Sequence, residues 1–377
     1  MERRDGISQQ VVDELVDVFA EKRLPDFGYK YLQLDAGYCG GGGGPRSFLE
    51  WNESKFPGGA EDAMKKIRSA GMKPGIWVHR VYRSYVDKYL PEIAKQHPDW
   101  FVRKADGTIY QGSYGIWTLN TANKEAVDNM VRPLFRELKR QRWDYVKIDG
   151  AGDMLYSDKQ QPAAEHFKKA GIMPEESLRK WDRVARDELG RDIFILTCWG
   201  VGPGRVSVGL VDGVRLGSDG FQWNTMLGQS MMNGVAWRGD PDREYVVFEF
   251  WTQKFLGKSK GSFTAPSMDE NTGMQVFAIR EAREHPWVLS TTRHISQGGV
   301  SLLDEQWDAD AKTLSGKSKV VIGDPYVLTV HLPEGFRLKS ADVDGQAPQI
   351  ADKGGTATVR IVPSATKELD WTMTFAE

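Results

Sequence analysis

The chain has 377 residues, 40% of them apolar and 27% charged, with a formal net charge of −2. Near-neutrality without a basic run leaves no electrostatic footprint for nucleic acid, and no apolar run is long enough to span a bilayer. Cys39 and Cys198 are too few and too far apart for a disulfide framework or a zinc site, and the histidines show no ligand spacing, so no metal and no organic cofactor is expected.

From Ile7 to Arg23 the positions Val11, Val12, Leu15, Val18 and Phe19 recur at helical spacing, and the β-prone run "YKYLQLD" follows a glycine. The alternation continues. A helix is expected over Ala60 to Ser69 before "KPGIWVH", and helices over Pro91 to Gln96 and Lys124 to Arg140 before "YVKID". A helix from Pro174 to Leu189 precedes "IFILTC", and "DGVRLGSD" and "GVAWRGD" read as further strands. The last pair is a helix over Gly273 to Glu284 and the strand "PWVLSTT".

About seven such units with nearly uniformly apolar strands predict a parallel sheet covered by helices, and a (β/α)8 TIM barrel is the first choice. A doubly wound open sheet is the competitor, but no strand leads into a dinucleotide fingerprint. The run Gly40 to Gly44 is followed by Pro45, Arg46 and Ser47, where a phosphate loop needs Gly-Lys-Ser/Thr, so it reads as a strand-end loop. Past Leu314, "SGKSK" reads as a connector. "YVLTVHL", "FRLKSADV", "TATVRIV" and "LDWTMTF" then predict a small antiparallel β-sandwich. The expected domains are a catalytic barrel over 1–313 and a sandwich over 314–377.

In a barrel, chemistry gathers at the carboxyl ends of the strands. The polar residues ending otherwise apolar runs are Asp35, His79, Lys147 with Asp149, Cys198, Arg215 with Asp219, and Asp240 with Asp242. Lys147 and Asp149 are two apart, and Arg215 and Asp219 four apart, so each pair shares a face if its segment is extended. A retaining glycosidase needs two such carboxyls, one kept ionised and one kept protonated until used. An ammonium beside Asp149 would favour its ionised form. The plainer reading of Lys-x-Asp is a buried ion pair filling one barrel layer; a second strand-end aspartate weighs against it. His79 fits a supporting group, and no Gly-x-Ser-x-Gly elbow points to a serine hydrolase. The 13 tryptophans suit a sugar site, although most are expected in the core.

Taken in order, the motifs resemble the clan D glycoside hydrolases, the melibiase-like α-galactosidase and α-N-acetylgalactosaminidase families numbered twenty-seven and thirty-six. "GYKYLQLDAGY" is similar to their second strand, "AGMKPGIWV" to the third, "YVKIDG" to the nucleophile strand and "CWGVG" to the fifth-strand turn; "VRLGSD" is similar to the acid/base strand and "WRGDPD" to the seventh. The likeness runs from about Ile7 to Asp304. It implies Asp149 as nucleophile and Asp219 as acid/base. It also implies that Lys147, Arg215 and Asp35 bind sugar hydroxyls and that Cys198 and Trp199 lie near the C2 substituent.

The resemblance implies a small-molecule carbohydrate or glycan substrate and a retaining exo-α-galactosidase. An α-N-acetylgalactosaminidase, another clan D α-glycosidase or transglycosylase, and a non-catalytic carbohydrate-binding protein are the alternatives. Three departures stand out. The family's first barrel strand should precede Ile7 and is expected to be missing from this chain. Asp35 is followed by Ala36, where relatives carry paired aspartates, and Trp199 occupies the place that distinguishes a 2-hydroxyl from a 2-acetamido group. No signal peptide or transmembrane segment is apparent in the chain as given, and the compartment and oligomeric state stay open.

Overall fold

The computed structural model describes residues 6–39, 48–80, 82–83, 89–111, 116–150, 161–198, 207–215, 240–267 and 274–377. Spatial proximity divides the chain into two compact units, 1–25 with 29–236 and 26–28 with 237–377. The boundary expected at 313/314 therefore falls inside the second unit.

The first unit is built on a parallel sheet of five strands in the order β1-β2-β5-β6-β7: β1 (Tyr31–Leu34), β2 (Lys73–His79), β5 (Tyr145–Asp149), β6 (Phe194–Thr197) and β7 (Gly213–Val214). A separate two-stranded ladder joins β3 (Tyr82–Arg83) to β4 (Ile116–Trp117). Helices α1 (Gln9–Glu21), α2 (Gly59–Ser69), α3 (Leu90–Gln96), α4 (Lys124–Ala126), α5 (Arg132–Arg140), α6 (Gln161–Lys169) and α7 (Pro174–Leu189) alternate with the strands. Helix α1 begins where the Ser8 hydroxyl accepts the Val11 N–H at 3.4 Å, and it buries Val12 and Val16, one turn apart. Instead of the single helix expected over Lys124 to Arg140, a π-helical turn, Val127–Val131, separates α4 from α5. Pro133 stands two residues past the turn, and a proline without an N–H cannot continue the regular ladder.

Alternation along the strands sorts the side chains. Val146 and Ile148 of β5 are buried among helix residues, whereas Lys147 and Asp149 between and after them are half-buried on the other face. Full burial of a side chain such as Ile148 contributes about 1.5–3 kcal/mol. On the second face, Tyr31, Tyr145 and Phe194 lie with ring centroids 5.7–5.9 Å apart near the amino ends of their strands. Gly75 makes room for this layer: a Cβ there would lie 2.2 Å from the Tyr145 ring.

The second unit holds three antiparallel groups. Strands β8 (Glu244–Glu249), β9 (Lys254–Lys260) and β10 (Phe277–Glu281) order as β10-β8-β9. Two four-stranded sheets follow, one of β11 (Trp287–Thr291), β14 (Tyr326–His331), β17 (Thr356–Ile361) and β16 (Gln349–Asp352), the other of β12 (Leu302–Asp308), β13 (Thr313–Val320), β18 (Lys367–Ala376) and β15 (Arg337–Val343). Strict alternation in β18 buries Leu369, Trp371, Met373 and Phe375 against Val288, Leu328 and Val330. The Trp371 indole donates to the Ser318 hydroxyl at 3.0 Å.

Three expectations are corrected here. Residues 277–281 form strand β10, not part of a helix, because Phe277, Ala278 and Ile279 register against Glu249, Phe248 and Val247 of β8. "PWVLSTT" does not continue the parallel sheet: Trp287 pairs with His331 in the antiparallel β11–β14 ladder. "SGKSK" is likewise the middle of β13, paired with both β12 and β18.

His331 is buried between the rings of Phe255 and Trp287, at 5.6 and 5.9 Å, and its Nδ1 has no hydrogen-bond partner among the described residues. Burial, helped by the Lys258 charge, pushes its pKa from 6.5 down to about 4, against a smaller upward pull from Glu244. The unfolded chain thus binds the extra proton first, so this contribution to stability is complete above pH 6.5 and is lost as the pH falls toward 4. Urea unfolding of the full chain should show the second unit weakening over that window, with a flatter pH slope in His331→Gln. An unchanged slope in that variant would assign the acid sensitivity elsewhere.

Candidate functional site

The face that carries the aromatic layer also carries, at the carboxyl ends of its strands, Asp35 after β1, His79 ending β2, Asp149 ending β5, Cys198 after β6 and Arg215 after β7. Parallel registration holds these ends level. His79 is the Cα partner of Asp149 and Trp77 that of Lys147. The ladder then runs on past the strands: the Cys198 N–H donates to the Ile148 carbonyl and the Arg215 N–H to the Thr197 carbonyl, each at 2.9 Å. Five strand-end polar residues thus come from segments as far apart in sequence as 35 and 215. Trp199 and Asp219 lie outside the described residues.

Asp149 is the most heavily engaged of them. Its Oδ2 accepts the Trp77 indole N–H at 3.0 Å and its Oδ1 accepts the Gly150 N–H at 2.7 Å. The Cys198 thiol also donates to this carboxylate. Burial alone would raise the Asp149 pKa. The indole, the nearby His79 ring, the Gly150 amide and the thiol together outweigh burial and hold it below the ordinary carboxylate range. The thiol is displaced the other way: burial first, then the Asp149 charge, pushes Cys198 up to about 12 against the pull of Arg215 and Lys147. Cys198 therefore stays protonated near neutrality and acts as a donor.

Lys147 is not the group that holds Asp149 charged. Its Nζ lies 2.7 Å from Asp35 Oδ2, where Gln33 Nε2 also donates at 2.6 Å. Strands β1 and β5 flank β2, so this ion pair reaches across the strand between them, which the long lysine stem permits. The Asp35 side chain is half exposed, so the pair serves more to present two polar groups than to stabilise the fold.

Trp77 and Gly150 are the residues that strand-end reasoning passes over. The first had a signal, because it shares with His79 the parity that Lys147 shares with Asp149. The second had none. Gly150 has φ +84°, and a Cβ there would lie 2.4 Å from His79 Cε1, so both backbone and neighbour require glycine. Beneath them, the buried Tyr38 hydroxyl donates to the Trp77 carbonyl at 2.8 Å, and burial, then the Cys39 and Asp35 charges, raise its pKa well above the ordinary value. Among the described residues no group of three or more His, Cys, Asp or Glu side chains is placed to hold a metal ion. No described helix is long and apolar enough to cross a membrane.

An α/β sheet with polar groups gathered at the carboxyl ends of parallel strands is the layout on which barrel and open-sheet proteins build ligand sites. Residues 10–174, which hold β1, β2 and β5, match the Melibiase family model, so this part of the chain is similar to the clan D glycoside hydrolases. The chain is similar to "Alpha-galactosidase 1" of Pediococcus pentosaceus, with 29% identity over 125 residues, a stretch covering 32% of this chain and 16% of that one. Among solved structures, the α-galactosidase TtGalA of Thermus thermophilus in complex with stachyose is similar over 56% of this chain and 41% of that one, at 23% identity and TM-score 0.42. A GH27 β-L-arabinopyranosidase from Geobacillus stearothermophilus is similar over 98% and 93%, at 12% identity and TM-score 0.46. The chain thus spans less than half the length of the α-galactosidases named here.

Proposed function

We propose that the chain is a retaining exo-α-galactosidase that hydrolyses terminal α-linked galactose by double displacement. The observation that carries the reading is Asp149, a carboxylate at a strand end whose surroundings favour its charged form despite burial. In the first step an Asp149 oxygen attacks the anomeric carbon while the glycosidic oxygen leaves with a proton from Asp219, giving a glycosyl ester. In the second, Asp219 takes a proton from water, the water oxygen attacks the same carbon, and Asp149 departs as carboxylate. Two inversions return the starting anomer.

The same reading gives Asp35, Lys147 and Arg215 to the sugar hydroxyls, and sets Cys198 and Trp199 beside the C2 position. It places the five parallel strands in a (β/α)8 barrel. Both steps are nucleophilic and acid–base chemistry and need no cofactor.

The test is release of nitrophenol from aryl α-galactoside, α-N-acetylgalactosaminide, α-glucoside and β-arabinopyranoside, with the first-formed anomer followed by NMR. Turnover of the α-galactoside with retention is expected. Preference for another sugar would reassign specificity within the clan, and an inverted product would overturn double displacement. Binding of galactose without turnover of any substrate would make the chain a carbohydrate-binding protein.

A further inference from the structure

Just past His79 the chain buries a charge that the chemistry above does not use. The side chains of Arg80 and Asp182 are both 0% exposed and form an ion pair from Nη2 to Oδ1. Asp182 Oδ2 in turn accepts the hydroxyl of Ser207, also buried, at 2.5 Å. The remaining contacts of Arg80 run to β5: Nη1 donates to the Ile148 carbonyl at 3.2 Å, and its main-chain N–H donates to the Asp149 carbonyl at 3.0 Å. The polar cluster thus lies against the backbone of the strand that carries Asp149.

Burying such a pair is expensive relative to apolar filling of the same space, and as a source of stability it is a poor choice. Its geometry suits another task. A planar guanidinium held by a carboxylate has its remaining donors aimed in fixed directions, and here one of them meets a main-chain carbonyl next to the Asp149 carbonyl that the Arg80 amide already holds. Asp182 stands on α7, next to Trp181, which is buried in the core, and Ser207 lies on the connection between β6 and β7. Helix, strand end and connection therefore meet at one ion pair.

We infer that Arg80 is a positioning residue for Asp149. Ser207 orients Asp182, Asp182 aims Arg80, and Arg80 fixes consecutive carbonyls of Ile148 and Asp149, so that the carboxylate emerges at a constant place. This rests on the reading of Asp149 as nucleophile, and a fixed reacting carboxylate is worth much to a displacement, since a misplacement of about 1 Å can cost about 100-fold in rate.

The test uses full-length Arg80→Lys, Arg80→Met and Ser207→Ala, assayed for kcat and KM on the aryl glycoside that the unaltered chain hydrolyses best, with hydrogen exchange of the Arg80 and Cys198 amides as a second readout. Those amides donate to the Asp149 and Ile148 carbonyls and report the strand end directly. Arg80→Met should lower kcat by about 10 to 100-fold with KM within about threefold, and Arg80→Lys should recover part of the loss. Ser207→Ala, the mildest of the three changes, should stay folded with a modestly lowered urea midpoint, since buried Asp182 loses one donor, and should lower kcat by about threefold to tenfold. Exchange at the two amides should quicken in all three variants while amides nearer the amino ends of β2 and β6 stay protected.

Unchanged kcat and unchanged exchange in Ser207→Ala and in folded Arg80→Met would overturn the inference. So would exchange that rises uniformly through the sheet, which marks a stabilising role alone. If the unaltered chain hydrolyses no glycoside, the functional reading fails by itself, and exchange at Arg80 and Cys198 still decides whether the cluster positions the strand end.

Discussion

Asp149→Ala is expected to abolish turnover, by at least about 10⁴-fold in kcat, the loss typical when the covalent nucleophile of a group-transfer enzyme is removed. The fold should survive, because the half-buried carboxylate leaves behind three donors, the Trp77 indole, the Gly150 amide and the Cys198 thiol, whose lost partner costs about 1–3 kcal/mol. The space vacated also predicts a chemical rescue. Azide supplied to the variant can attack the anomeric carbon of an activated aryl α-glycoside from the side that Asp149 occupied, expelling the phenolate and leaving a β-glycosyl azide. Recovery of turnover with that product, seen by NMR, identifies Asp149 as the nucleophile. A folded variant with rates near those of the unaltered chain would remove it from the chemistry.

Gly150→Ala is expected to damage both stability and rate although the residue replaced carries no ionisable group. A left-handed φ of +84° disfavours any side chain by about 1–2 kcal/mol, and the new Cβ would lie 2.4 Å from the His79 ring. Either the backbone or the imidazole must shift. A backbone shift carries with it the Gly150 N–H that holds Asp149, so kcat should fall by about 10²-fold. Combining Gly150→Ala with His79→Ala separates the two sources, since the double variant removes the collision and keeps the strained φ. Partial recovery of the urea midpoint in the double variant is the expected result. A double variant no more stable than Gly150→Ala would show that the strained φ alone limits the fold.

Much of the first unit is legible in residue order. Helical spacing in Val12 and Val16 and the apolar runs of β2 and β5 are local patterns, and alternation along a strand sets Lys147 and Asp149 on one face whatever surrounds them. The motifs that carry the clan D likeness are also local, and three of them fall in the segment that matches the Melibiase model. The last expected α/β pair folds as antiparallel strands for an equally physical reason. The helix expected over Gly273 to Glu284 holds β10, and β-prone runs such as "PWVLSTT" fit an antiparallel ladder as well as a parallel one, with only the partner strand deciding between them.

Residue order by itself determined which groups stand at strand ends, because period and polarity belong to each segment alone. Tertiary structure decided whom each group meets, because that depends on the order of strands in the sheet and their register. Lys147 finds Asp35 across β2 and not Asp149 two residues away. Asp149 receives the Trp77 indole because β2 and β5 are neighbours in register, and Arg80, one residue beyond His79, is turned toward Asp182 and Ser207. Such partners are separated by tens to more than a hundred residues, and no local pattern encodes a distance through space.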